Sequence, residues 1–280
     1  MSDIESRIGF MQGRLTKPNL GVIQQFPKDG WKEEFDKANK INLRLMEWTL
    51  DNETYANNPL VDKSKISTIS ALKEKFRISI PSLTADCFMQ SPLWDRDNEA
   101  CEEKNINRFH KLVKSCQLNG IEYIVMPLVD NSSLNSTYKQ NTLLAIFSEL
   151  TSYIRHCGIK ILFESDLEPK SLSKFIEDYP EDTFGINYDI GNSASLGYDV
   201  IEEISLLKDR IMNVHVKDRK YQGCTVPLGE GDAKLHIAIQ TLRRYGYKGN
   251  FILQTARTYD GNDAVLLSKY RDMLLHWLSS

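Results

Sequence analysis

The chain has 280 residues, of which 41% are hydrophobic and 26% charged, with a formal net charge of -3. That length suits one large α/β domain or two small ones, and the near-balanced charge gives no global electrostatic case for a nucleic-acid partner. No stretch approaches the roughly 20 apolar residues that span a bilayer, and the opening MSDIESRIGF has no long apolar core, so a cytoplasmic protein with no membrane partner is expected.

In chain order, strand-like runs fall at 7–12 (RIGFMQ), 43–49 (LRLMEWT), 78–84 (ISIPSLT), 121–128 (IEYIVMPL), 159–164 (IKILFE), 184–189 (FGINYD), 211–217 (IMNVHVK) and 250–255 (NFILQT). Helical segments lie between them. Ile66, Ile69, Leu72 and Phe76 share one face of 62–76, and Ile106, Phe109, Val113 and Cys116 share one face of 99–119. Pro169 opens a helix with Leu172, Phe175 and Ile176 on its apolar side, and 262–278 carries Val265, Leu266, Tyr270, Leu274 and Leu278. Unbroken alternation favours a parallel sheet. Eight βα units with no GxGxxG after the first strand predict a single (β/α)8 TIM barrel over 1–280, an α/β fold, rather than an open doubly wound sheet. The longest strand-to-helix connections, 85–98, 129–137 and 218–232, would roof the functional face.

Four late strands each end a hydrophobic run in a metal-capable side chain: Glu164, Asp189, His215 and Gln254. Parallel strands buried on both faces read as continuous apolar runs that turn polar at their C-terminal ends, where such barrels keep their chemistry. Two carboxylates and an imidazole suit one divalent cation, Mn, Co, Zn, Fe or Mg. The competing expectation is that Glu164 and Asp189 cap helices and His215 is an ordinary strand residue. Basic groups gather near the same ends: Arg14, Lys217, Arg219, Lys220 and Arg257. They suit a phosphate or carboxylate, with Gly229 and Gly231 letting loop N–H groups approach the anion. Lys217, two residues past His215, is also a candidate base, or a partner of Asp218. Glu47 is expected either to bind a substrate hydroxyl or to pair with Arg14.

The five cysteines, at 87, 101, 116, 157 and 224, form no CxxC pair and are read mostly as small buried hydrophobes. Phe88, Trp94 and Tyr188 are read as core or lid packing ahead of sugar stacking. His110, His156, His236 and His276 fall on helical stretches and are read as structural or surface residues.

MQGRL at 11–15, EWTLD at 47–51, FES, YDIGN at 188–192, VHVKD at 214–218 and VPLGEGD at 226–232 resemble the xylose-isomerase-like sugar phosphate isomerase/epimerase superfamily. Its members include L-ribulose-5-phosphate 3-epimerases, hexulose-phosphate isomerases and D-tagatose 3-epimerases. The resemblance implies a TIM barrel with one divalent metal held by Glu, Asp, His and Glu, which here map to Glu164, Asp189, His215 and Gln254. It also implies a substrate contact at Asn192, where the family commonly has the His of DxGH. The implied activity is metal-dependent proton abstraction next to a carbonyl of a sugar or sugar phosphate. Glu164 would be the base, and the chemistry would be one-base because an amide at 254 cannot titrate. A lyase or dehydratase and an inactive sugar-binding homologue are the alternatives. Endonuclease IV-type repair enzymes share the fold, but this chain has too few strand-end His for their three-zinc cluster. A homo-oligomer stays open.

Overall fold

The computed structural model describes residues 4–17, 24–95, 99–258 and 261–279. The side chain of Cys101 and residues 96–98 of the expected 85–98 roof lie outside what is described. Eight parallel strands close into a barrel: β1 Ile8–Met11, β2 Leu45–Thr49, β3 Ser79–Thr84, β4 Tyr123–Leu128, β5 Lys160–Ser165, β6 Phe184–Asp189, β7 Ile211–Val216 and β10 Asn250–Leu253. Between β7 and β10 a short antiparallel ribbon pairs β8, Asp218–Arg219, with β9, Thr225–Val226. Around the ring the order is β1-β10-β7-β6-β5-β4-β3-β2. Each barrel strand falls within its expected run or, for β5, one residue past its end. No helix among the described residues is long and apolar enough to cross a membrane.

The strands read as uniform apolar runs because both faces are covered. Phe163 on β5 turns outward to Phe147, Tyr179 and Phe184, with ring centroids 5.0 to 5.8 Å away. Its neighbour Glu164 serves the barrel interior, as period-two alternation requires. Inside, Met11, Leu45 and Ile252 form a small apolar cluster separate from the main core, so the lumen is packed rather than open. Gly9 is needed there: a Cβ on it would lie 2.2 Å from Leu45 Cδ2 and 2.7 Å from Leu45 O.

Strand register positions the polar layer above this plug. Met11 pairs with Glu47, Ile252 with His215, and Asp189 with His215. Paired residues of parallel neighbours face the same side, so Glu47, His215 and Asp189 meet in the lumen at one level. The helices Ile66–Phe76, Glu99–Asn119, Pro169–Glu177 and Asp263–Ser279 match the expected segments. Pro169 occupies the first turn, and Glu168 caps it by accepting from Ser171 N.

Candidate active site

Glu164, Asp189 and His215 each present a ligand atom within 4.8 Å of the other two, and all three are buried. His215 Nδ1 lies 3.1 Å from Glu164 Oε2 and 3.9 Å from Asp189 Oδ2. Above this floor opens a cavity of about 610 Å³ at the C-terminal ends of the strands, whose wall includes Glu164, Asn192, Lys217, Arg219, Gln254 and Arg14.

The residues fit a divalent cation. Asp189 does cap the helix Ile190–Leu196, but through Oδ1, which accepts from Asn192 N at 2.8 Å. Its Oδ2 and His215 Nδ1 are buried without an aligned hydrogen-bond partner among the described residues. Lys217 Nζ lies 2.6 Å from that Oδ2 and Glu164 Oε2 lies 3.1 Å from that Nδ1, so two carboxylates and an imidazole crowd one buried point, a mixed O/N donor set suited to a divalent cation. His215 Nε2 lies 2.6 Å from Glu47 Oε1. That contact favours a proton on Nε2, so that the nitrogen a metal would take, on losing its own proton, is Nδ1, the arrangement commonly found behind ligating histidines.

Glu47 is fully buried and saturated. Besides His215 it accepts from Ser82 Oγ at 2.6 Å, Thr84 Oγ1 at 2.5 Å and Asn213 Nδ2 at 2.9 Å. It is therefore placed to orient His215, and it neither reaches the cavity wall nor pairs with Arg14. Burial penalises its charge, yet His215 and the two hydroxyls hold Glu47 below the ordinary carboxylate range. Burial alone would lower His215, but the carboxylates of Glu47 and Glu164 outweigh it and push the imidazole up to about 10. Burial raises Asp189, with Lys217 opposing. Cation binding here must therefore displace a proton from His215.

Asn187 Nδ2 and Asn192 Nδ2, each 2.8 Å away, donate to the two oxygens of Glu164. Arg219 Nη1 in turn donates to Asn192 Oδ1 at 2.9 Å. Lys217 Nζ sits 2.6 Å from Asp189 Oδ2 and 3.0 Å from Gln254 Oε1. Its partner is thus Asp189, not Asp218. Asp218 instead accepts the N–H groups of Gly229, Gly231 and Ala233, so the N–H groups expected to hold a substrate anion hold this carboxylate. Gly231 permits that closeness, since a Cβ on it would fall 2.0 Å from Asp218 Oδ1.

Arg14 is 3% exposed, anchored by Nε to Thr255 O at 2.9 Å, and burial lowers it to about 10. Arg257, expected at the strand mouth to meet substrate, points elsewhere. Its guanidinium donates to Gly13 O and Thr16 O and pairs with Asp263, so it braces the loop that carries Arg14. Phe88 and Tyr188 are buried, and Trp94 Nε1 donates to Ser132 O; none of the three borders the cavity. Cys87, Cys116 and Cys157 are buried, while Cys224 is exposed on the cavity rim.

Sequence reasoning passed over Gln24, Asp86, Asn187 and Asn213. Asn187 and Asn213 sit in strands two residues before Asp189 and His215, and that same-face spacing was the available signal. Gln24 lies in a loop and Asp86 opens a helix of five residues, too short for periodicity to mark it.

Residues 35–270 match the family described as Xylose isomerase-like TIM barrel. The L-ribulose-5-phosphate 3-epimerase UlaE of Salmonella typhi is 24% identical over 271 residues, covering 90% of this chain and 92% of that protein. Among solved structures, a D-tagatose 3-epimerase-like protein superposes with a TM-score of 0.75 at 17% identity, covering 98% of both chains. A xylose isomerase-like TIM barrel protein from Mycobacterium smegmatis, in complex with magnesium, gives 0.71 at 16% identity, covering 99% of this chain and 98% of that one. With the closed eight-stranded parallel barrel, the match over residues 35–270 establishes that the chain belongs to the xylose isomerase-like TIM-barrel family.

Proposed function

We propose that this protein is a divalent-metal-dependent isomerase or epimerase of a sugar or sugar phosphate, acting by removal of a proton next to a carbonyl. The observation that carries the reading is the convergence of Glu164, Asp189 and His215 beneath the cavity. These three would hold the cation, which when bound polarises a carbonyl and acidifies the neighbouring carbon.

Glu164 is the base in this reading. It borders the cavity, and Asn187 and Asn192 fix both its oxygens, so the carboxylate is held for proton transfer rather than free to rotate. Arg14, Lys217 and Arg219 supply positive charge along the wall for the oxygens or phosphate of a sugar. The relationship to L-ribulose-5-phosphate 3-epimerases supports this substrate class. Gln254 lends its amide oxygen to Lys217. Because that amide has no proton affinity near neutrality, a lyase needing only one base is the second reading.

Incubation of Mn-loaded protein with ketose phosphates in D2O tests the proposal. Deuterium entering the carbon next to the carbonyl, abolished by a chelator and by Glu164→Gln, is the expected result. Exchange that persists after chelation contradicts it, and elimination products in place of an epimer or isomer select the lyase.

A further inference from the structure

Among the described residues four carboxylates border the cavity: Asp86, Asp130, Glu164 and Asp166. Asp130 is exposed and Asp166 half-buried, whereas Asp86 is 7% exposed and Glu164 6%. Asp86 reaches the wall as the first residue of the short helix Asp86–Gln90, just beyond β3.

Three other buried carboxylates in this protein are tied to pairs or sets of backbone N–H groups. Asp51 takes those of Phe26 and Thr54, Glu34 those of Gly13 and Leu15, and Asp218 those of Gly229, Gly231 and Ala233. Such carboxylates brace loops. Asp86 has no such set. Its Oδ2 accepts from Gln24 Nε2 at 2.9 Å, and among the described residues no cation pairs with it. Gln24 Oε1 in turn accepts from Gln254 Nε2 at 2.9 Å, and Gln254 Oε1 accepts from Lys217. A hydrogen-bonded row therefore follows the wall from Asp86 through two amides to Lys217.

We propose that Asp86 is the second acid–base group of this site, doing what the amide of Gln254 cannot. The inference rests on the reading of Glu164 as the base. Glu164 takes the proton from the carbon beside the carbonyl; the C–H pair becomes a C=C bond and the carbonyl π pair moves to oxygen, giving an enediolate. The Asp86 carboxyl then donates its proton to the same carbon from the other side, the C=C pair forms the new C–H bond, and the oxygen pair restores C=O. Glu164 is left protonated and Asp86 ionised, and exchange with water in the cavity resets both. Burial pushes the Asp86 carboxyl up to about 7, with Gln24 and His215 opposing and Glu164 and Asp51 adding to it. A carboxyl so placed still carries its proton near neutrality, as an acid in proton transfer must.

The test uses Mn-loaded full-length protein with L-ribulose 5-phosphate and D-tagatose in D2O, reading by NMR both deuterium in recovered ketose and epimer formed. Asp86→Asn should lower epimer formation about a hundredfold or more while exchange stays within about threefold, because the base is intact and the donor is lost. Adding Gln254→Glu to Asp86→Asn should recover about tenfold or more of the epimer, since a carboxyl returns to the neighbouring wall position. Mn affinity unchanged in Asp86→Asn serves as the control for an intact site. Epimer formation by Asp86→Asn equal to wild type, or a parallel loss of exchange and epimer, overturns the proposal alone. Wild-type protein that exchanges no deuterium into either ketose overturns the proton-abstraction reading and this proposal with it.

Discussion

Glu47 Oε1 lies 2.6 Å from His215 Nε2, and both side chains are wholly shielded from solvent. The pair sets which ring nitrogen faces Glu164 and Asp189, so Glu47 acts on a bound cation through His215. Glu47→Gln keeps the shape but loses the charge that supports the ring. Mn affinity, read by calorimetry, is expected to fall by roughly ten- to hundredfold. Unchanged affinity would show that the tautomer is set by other contacts.

Lys217 places an ammonium 2.6 Å from Asp189 Oδ2, the oxygen that a cation at this site would also claim. Two positive charges within several ångströms in a buried setting repel strongly. Lys217→Met should therefore tighten Mn binding by about tenfold or more, while weakening turnover if the ammonium also grips substrate. Weaker Mn binding in this variant would show that Lys217 supports the cation site rather than competing with it.

Arg257 and Glu34 hold opposite sides of one loop. Arg257 donates to the carbonyls of Gly13 and Thr16, and Glu34 accepts from the N–H groups of Gly13 and Leu15. Arg257→Met removes half of that clamp and is expected to cost about 1–3 kcal/mol in urea unfolding. Amide exchange at Gly13 and Leu15 should also quicken. Wild-type stability and exchange in this variant would assign the loop's order to Glu34 alone.

Glu203 is 3% exposed, with Ser193 Oγ donating to Oε1 at 2.9 Å. Burial raises its carboxyl from 4.5 to about 7, against the hydrogen bond from Ser193. The folded state therefore holds more protons than the unfolded chain between those values. Its contribution is complete below about 4.5 and is lost as pH rises through about 7. Relative to Glu203→Gln, the wild type should lose on the order of 2–3 kcal/mol between pH 4.5 and 8. Parallel urea-unfolding curves for the two proteins across that range would contradict this account.

The barrel was legible because strands buried on both faces leave continuous apolar runs that end abruptly. ILFE, INYD and NVHV mark both the strands and the turn to polarity at Glu164, Asp189 and the His215 level. What sequence could not resolve was which polar neighbour each side chain prefers. Glu47 was expected to meet Arg14 or a substrate hydroxyl, but register places it beside His215 on a strand three places along the ring. Arg257 follows its strand closely, yet chain direction beyond β10 turns it to Gly13 and Thr16. Gly229 and Gly231 were expected to bring N–H groups to a substrate anion, but the anion those groups meet is Asp218. Gln24 and Asp86 meet only because a loop and a short helix far apart in sequence close over the same face.

Metal content tests the central claim most directly: the protein, purified without chelator and titrated with Mn, Zn or Mg, should hold one divalent ion per chain. Separate His215→Ala and Asp189→Asn variants should lose it while remaining folded. A wild-type protein that binds none of these ions at millimolar concentration, or variants that bind as well as wild type, would contradict the convergence of Glu164, Asp189 and His215 on one cation.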